Sequence, residues 1–147
     1  MYGKILKYGE TGRIKLVRLG RKGAGRFERP VHEVWKINGR ISDLKKPILH
    51  DSHPDIAQFL DRIDRYSTVS ASHLLSSGHE FIWWHPAAYP AAKFFLNYFL
   101  KLGFLDGMPG LIMAMMMSFH SFLTRAKLFG AAVGRRNNIV SPDRDYA

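Results

Sequence analysis

Three groups of residues carry types and spacings that do chemistry. Val31-His32-Glu33 sets an imidazole beside a carboxylate, within a strand candidate, Val31–Ile37. Such a pair supplies a general base, a metal ligand or both. An isolated His-Glu is more often surface decoration. His50-Asp51-Ser52-His53 has H-x-x-H spacing, which suits one helical face. Here it straddles the end of a short apolar run, Pro47–His50, where a polar loop is the plainer reading. Arg13, Lys15, Arg18, Arg21, Lys22 and Arg26 surround a glycine-rich loop, Gly20–Gly25. Charge and free backbone N–H groups there suit a phosphate, or the stretch is a solvated face. The glycines match neither the P-loop nor the dinucleotide fingerprint, and no Gly-x-Ser-x-Gly elbow is present. The chain has no cysteine, which excludes a thiol nucleophile, a zinc ribbon and a disulfide framework and fits a reducing compartment.

The elements that must position these residues change character along the chain. Lys4–Tyr8 and Arg13–Leu19 are strand candidates, the second by alternation of charged and apolar residues. Asn38-Gly39 closes Val31–Ile37 with a strong hairpin signal, and Pro47–His50 is a fourth short strand candidate. From Pro54 the period becomes helical. Asp55 suits an N-cap, and Ile56, Phe59, Leu60, Ile63 and Tyr66 recur at three and four up to about Leu75. Phe81-Ile82-Trp83-Trp84 is an aromatic cluster, capped by Pro86 and Pro90, before a second helix, about Ala91–Leu102. A third runs from about Pro109 to Leu128. The residues from Gly134 read as a disordered polar tail. The organisation expected is a β-rich part over 1–53, a helical part over 54–130 and a tail over 131–147. The fold class is α/β or α+β.

Charge divides along the same line. Residues 1–50 hold thirteen Lys/Arg against four acids, net +9; residues 51–147 hold nine against eight, net +1. A total of +10 favours an anionic partner. Nucleic acid is not expected, because the basic strands carry no zinc finger and no aromatic strand of the RNA-binding kind. No apolar signal region opens the chain, so no signal peptide is expected. Met108–Leu123 is sixteen residues without a formal charge, short of the roughly 20 that a span needs. Phe94, Phe95, Tyr98, Phe99 and Leu100 stand among Lys93, Asn97 and Lys101, a mixture that suits the headgroup region. Length and charge favour helices lying on a membrane or against a partner over ordinary core helices, and both over a true span.

Read in order, several blocks resemble one family. They are Tyr2-Gly3, Leu6-Lys7-Tyr8-Gly9, Lys15-Leu16-Val17-Arg18-Leu19, Gly25-Arg26-Phe27, Val31-His32-Glu33, Gly39 with Leu44, and Ile48-Leu49-His50. Arg65-Tyr66-Ser67 and Gly103-Phe104-Leu105-Asp106-Gly107 with Gly110 complete the set. Together they resemble the C-terminal half of bacterial family 2 glycosyltransferases of the lipopolysaccharide-core glucosyltransferase type, over about residues 2–130. The resemblance implies a GT-A fold, an inverting transfer from a nucleotide-sugar to a saccharide or lipid-linked acceptor, and a divalent metal, Mg or Mn. Glu33 then matches the acceptor-side base, with His32 its neighbour. His50 matches a metal ligand, and Arg18, Arg21 and Arg26 lie near the diphosphate or an anionic acceptor. The implied location is peripheral, on the cytoplasmic face of the inner membrane, with the helices against an anionic surface. The Asp-x-Asp that family members use for metal and donor is not found ahead of Glu33; Asp143-Arg144-Asp145 fits the pattern only in the tail. The expectation is a truncated or split transferase, inactive by itself, that needs a separate N-terminal half. The alternative is a basic peripheral membrane-binding protein without catalysis.

Overall fold

The computed structural model describes residues 5–10, 12, 15–17, 19–28, 34–44 and 55–140, without the side chains of Phe27 and of 135–140. Among the described residues the chain is α+β, with a two-stranded antiparallel sheet followed by three helices. Strand β1, Gly25–Glu28, pairs with β2, Val34–Ile37, in the register Gly25 to Ile37 and Glu28 to Val34. Helix α1 spans Ile56–Ser76, α2 spans His85–Phe95, and α3 spans Met108–Val140.

The strand expectations fare unevenly. Val34–Ile37 forms as expected, but its partner lies before it rather than after Asn38-Gly39. The Asn38 N–H instead donates to the Ala24 carbonyl at 2.8 Å and closes the open end of the pair. Gly25 begins β1 where a loop was expected. Its backbone lies so close to the Lys36 carbonyl that a Cβ would collide with it. The described parts of Lys4–Tyr8 and Arg13–Leu19 are irregular. An alternating segment becomes a strand only beside a partner, and the amides of Lys7 and Tyr8 are taken by a side chain instead, as set out below. Pro47–His50 lies outside the described residues.

The helices form the packed body. Asp55 caps α1, its carboxylate accepting the Gln58 N–H at 2.8 Å, a contact that contributes about 1 kcal/mol. The buried line of α1 is Phe59, Ile63, Ser67 and Ala71, every fourth residue, whereas Ile56, Leu60 and Tyr66 are exposed. The inward stripe is therefore narrower than the three-and-four spacing suggested. It faces α3, where Gly110, Met113, Ala114, Thr124 and Leu128 are buried. Lys127 of α3 ties the two helices together by donating to the Asp64 carbonyl and carboxylate, both at 2.7 Å, and to the Thr68 hydroxyl at 2.6 Å. α2 lies on another side of α3, joined by the Ser118 hydroxyl donating to the Pro90 carbonyl at 2.7 Å.

Two helix boundaries differ from expectation. α2 starts six residues early, because Pro86 sits in the first turn, where no N–H is needed, and Pro90 is accommodated inside. α3 continues past Gly134 to Val140, since a glycine weakens a helix by only about 1 kcal/mol and neighbouring turns carry it through. Among the described residues no contact joins either strand to a helix.

Candidate functional site

After Phe95 the α2 backbone widens into a π-helical turn, Leu96–Leu100, in which the Lys101 N–H donates to the Leu96 carbonyl at 2.8 Å. Leu102 then adopts φ 58°, the left-handed region, at a cost of about 1–2 kcal/mol for a leucine. A 3-10 turn, Gly103–Asp106, leads into α3. The N-terminal segment is clasped to this corner. The Asp106 carboxylate, 3% exposed, accepts the N–H of Lys7 at 3.0 Å and that of Tyr8 at 2.9 Å. The Gly9 N–H donates to the Lys101 carbonyl at 2.9 Å.

Glu10 completes the clasp. It accepts from Lys93 Nζ at 2.8 Å and from Asn97 Nδ2 at 2.9 Å. Burial by itself pushes the Glu10 carboxyl up. The bond to the Lys93 ammonium, that ammonium's charge, the Asn97 amide and the Lys101 charge outweigh it and hold the group below the usual carboxylate range. Asn97 is 1% exposed, and its Oδ1 has no hydrogen-bond partner among the described residues. It lines a cavity of about 10 Å³, the size of roughly one water, together with Tyr8, Gly9, Glu10, Gly103 and Asp106. The glycines here have steric reasons. A Cβ on Gly110 would strike the Gly103 carbonyl, and one on Gly103 would press on the Asn97 carbonyl at 2.6 Å. Gly-Phe-Leu-Asp-Gly with Gly110 is thus, in this fold, a packing and hydrogen-bonding corner.

The opposite face of the same segment is apolar and open. Phe95 and Phe99 are 54% and 45% exposed, with ring centroids 5.1 Å apart. Phe94 stacks on Tyr98 at 5.3 Å, Tyr98 meets Phe99 at 5.1 Å and Phe104 at 6.2 Å. Leu100, Leu102, Leu105 and Met108 continue the exposure. Among the described residues six hydrophobic side chains are buried while 27 large ones are exposed, 17 of them after residue 80. Isolated exposed leucines need no explanation; a joined set of five rings marks a contact surface. Lys101 is exposed at its edge. Lys93, expected on that surface, is instead turned inward to Glu10, because a half-buried carboxylate needs a counter-charge.

The hairpin holds one of the expected site residues, Arg26, and a second, Arg21, lies just before it. Arg26 and Lys36 line an open cleft of about 350 Å³ with Gly23, Gly25 and Asn38. Both pair with Glu28, at 3.1 and 3.6 Å, so part of their charge is already answered. Arg21 is exposed beside them, its carbonyl accepting the Ala24 N–H at 3.1 Å. Arg18, His32, Glu33 and His50 lie outside the described residues. No group of three or more His, Cys, Asp or Glu suited to a metal occurs among the described residues. Among those residues, too, no helix is long and apolar enough to cross a membrane.

Sequence reasoning missed Glu10, whose neighbours in the chain give no sign of Lys93 or Asn97. It saw Asp106 only as part of a family block. Asn97, expected with Lys93 and Lys101 among the aromatics of a headgroup surface, is instead buried and donates to Glu10, because a polar residue amid aromatics in a helical pattern marks either a wet face or a buried hydrogen bond. No family model, no curated protein and no solved structure matches the chain.

Proposed function

We propose that the chain docks peripherally on an anionic membrane surface, and that there it forms the acceptor-side part of an inverting sugar transferase. The observation that carries the docking is the joined surface of Phe94, Phe95, Tyr98, Phe99 and Phe104, flanked by Leu100, Leu105, Met108 and Lys101. Aromatic rings at headgroup depth next to a cation suit an interface of this kind. The strained Leu102 adds support, since its exposed side chain is held out where a glycine would cost less. The bilayer, rather than a protein, is favoured by the net charge of +10.

The test is co-sedimentation with anionic vesicles. Phe95→Ser with Phe99→Ser gives up about half of two aromatic burials, about 1.5–3 kcal/mol together, so binding falls roughly tenfold to a hundredfold. Wild-type protein that stays in the supernatant removes the docking reading.

The transferase part rests on the family resemblance, with Glu33 as the base, His32 beside it, His50 as metal ligand and Arg18, Arg21 and Arg26 toward the diphosphate. Its fold would be of the GT-A kind, completed by a donor-binding half. A non-catalytic membrane-binding protein would use the same aromatic surface, so Glu33 separates the two. In an enzyme completed with a donor half, Glu33→Gln lowers transfer by about 10²–10⁴-fold and leaves the thermal melt in place. Transfer within a few-fold of the parent would take the base role away from Glu33.

A further inference from the structure

A second surface lies at the other end of α2. Arg125 of α3 holds its guanidinium carbon over the Tyr89 ring, 4.0 Å from the centroid. Tyr89 meets His85 edge-on at 4.8 Å, and His85 meets Trp84 edge-on at 4.6 Å. Trp84 is 47% exposed and its neighbour Trp83 82%. Arg125 is half-buried, and its contact with Tyr89 is its sole interaction among the described residues; no carboxylate or carbonyl there takes its N–H groups. The other basic side chains held between elements of the helical body, Lys93 and Lys127, each have a carboxylate.

A guanidinium is always charged, and stacking on a ring leaves its in-plane N–H edge open. No carboxylate among the described residues takes this half-buried guanidinium, and its planar fork matches two terminal oxygens of a phosphate, which a monoester presents unhindered and a diester carries between two substituents. Tryptophans exposed beside it belong at the depth where lipid phosphates lie. Resting on the membrane-docking reading above, we propose that Arg125, stacked on Tyr89, is a headgroup site that grips the phosphate of a phosphomonoester lipid. Trp83 and Trp84 enter the interface beside it. Two contact points, the five-ring surface and this fork, would then fix how the helices lie on the bilayer.

The test uses the full chain with vesicles of phosphatidylcholine carrying either phosphatidic acid or phosphatidylserine, matched in surface potential. Wild type is expected to bind the phosphatidic acid vesicles about tenfold more tightly, as one charge-assisted hydrogen-bonding pair warrants. Arg125→Gln abolishes that preference, and Arg125→Lys, which keeps the charge but loses the fork, removes most of it. Residual binding to both vesicles stays in each variant, and far-ultraviolet melts report that the fold is kept. Arg125→Gln that retains the wild-type preference overturns the proposal. So does inorganic phosphate at millimolar concentration displacing the protein from phosphatidic acid vesicles, which would mark a site for soluble anions. Wild type that binds neither vesicle defeats the docking reading itself, a result distinct from a wild type that binds without preference.

Discussion

The two faces of the segment from Lys93 to Asp106 are reversed relative to an ordinary surface helix. Lys93, Asn97 and Asp106 point inward and are spent on Glu10 and on the amides of Lys7 and Tyr8. Phe95, Phe99 and Phe104 point outward. An amphipathic helix normally does the opposite. The difference teaches that polarity in this segment is used for joining the N-terminal chain to the helices, and apolar area for something outside the molecule. The inner face is short of room, with glycines at 103 and 110 letting backbones touch. On the outer face the rings of Phe95, Phe99 and Phe104 stay exposed among the described residues.

The largest expected effect breaks the inner face. Asp106→Ala strands the N–H groups of Lys7 and Tyr8 in a part-buried corner, at a cost of about 2–4 kcal/mol in urea unfolding. Its folded fraction should still bind vesicles as wild type does, because no ring has moved. Next comes the outer face. The Phe95→Ser and Phe99→Ser pair that weakens vesicle binding should leave the unfolding midpoint within about 0.5 kcal/mol of wild type, as exposed substitutions do. A large loss of stability in that pair would mean that the rings belong to the core after all, and the contrast between faces would fail.

The smallest effect is a pH dependence confined to the inner face. Glu10 is held below its unfolded value, chiefly by Lys93 once burial has been overcome. A carboxylate lowered on folding contributes stability that is fully present above its unfolded pKa, about 4.3, and lost as pH falls through the lower folded value. Stability measured against pH should therefore drop from about pH 4 downward. In Glu10→Gln that part of the drop should disappear. An identical acid limb in both proteins would show that the Glu10 pair does not couple to folding.

Much of the helical part was legible in the sequence. Asp55 and the apolar spacing after it mark α1 to within a residue at its end, because a cap and a 3.6-residue period are local properties. The start of α2 was not legible, since Pro86 and Pro90 read as breakers until their places in the first turn and against Ser118 are known. The exposed character of Phe95 and Phe99 was legible from their company. The inward turn of Lys93 was not, because its partner Glu10 lies 83 residues away. The strands were least legible. Alternation in Lys15–Val17 signals a strand only when a neighbour is available, and the pairing went to Gly25–Glu28 and Val34–Ile37.

The clasp also has a consequence for the order in which the fold comes together. Its bonds join Lys7 to Asp106, 99 residues apart, while α2, the turn at Gly103 and α3 follow one another directly. Contacts between sequence neighbours form early, and those that close long loops come after, when the loop entropy can be repaid by a surface already in place. The helical corner therefore assembles first and offers the Asp106 carboxylate as a finished socket. We expect the N-terminal chain to dock onto it last and to come away first, so that the Lys7 and Tyr8 amides exchange hydrogen ahead of those of α3.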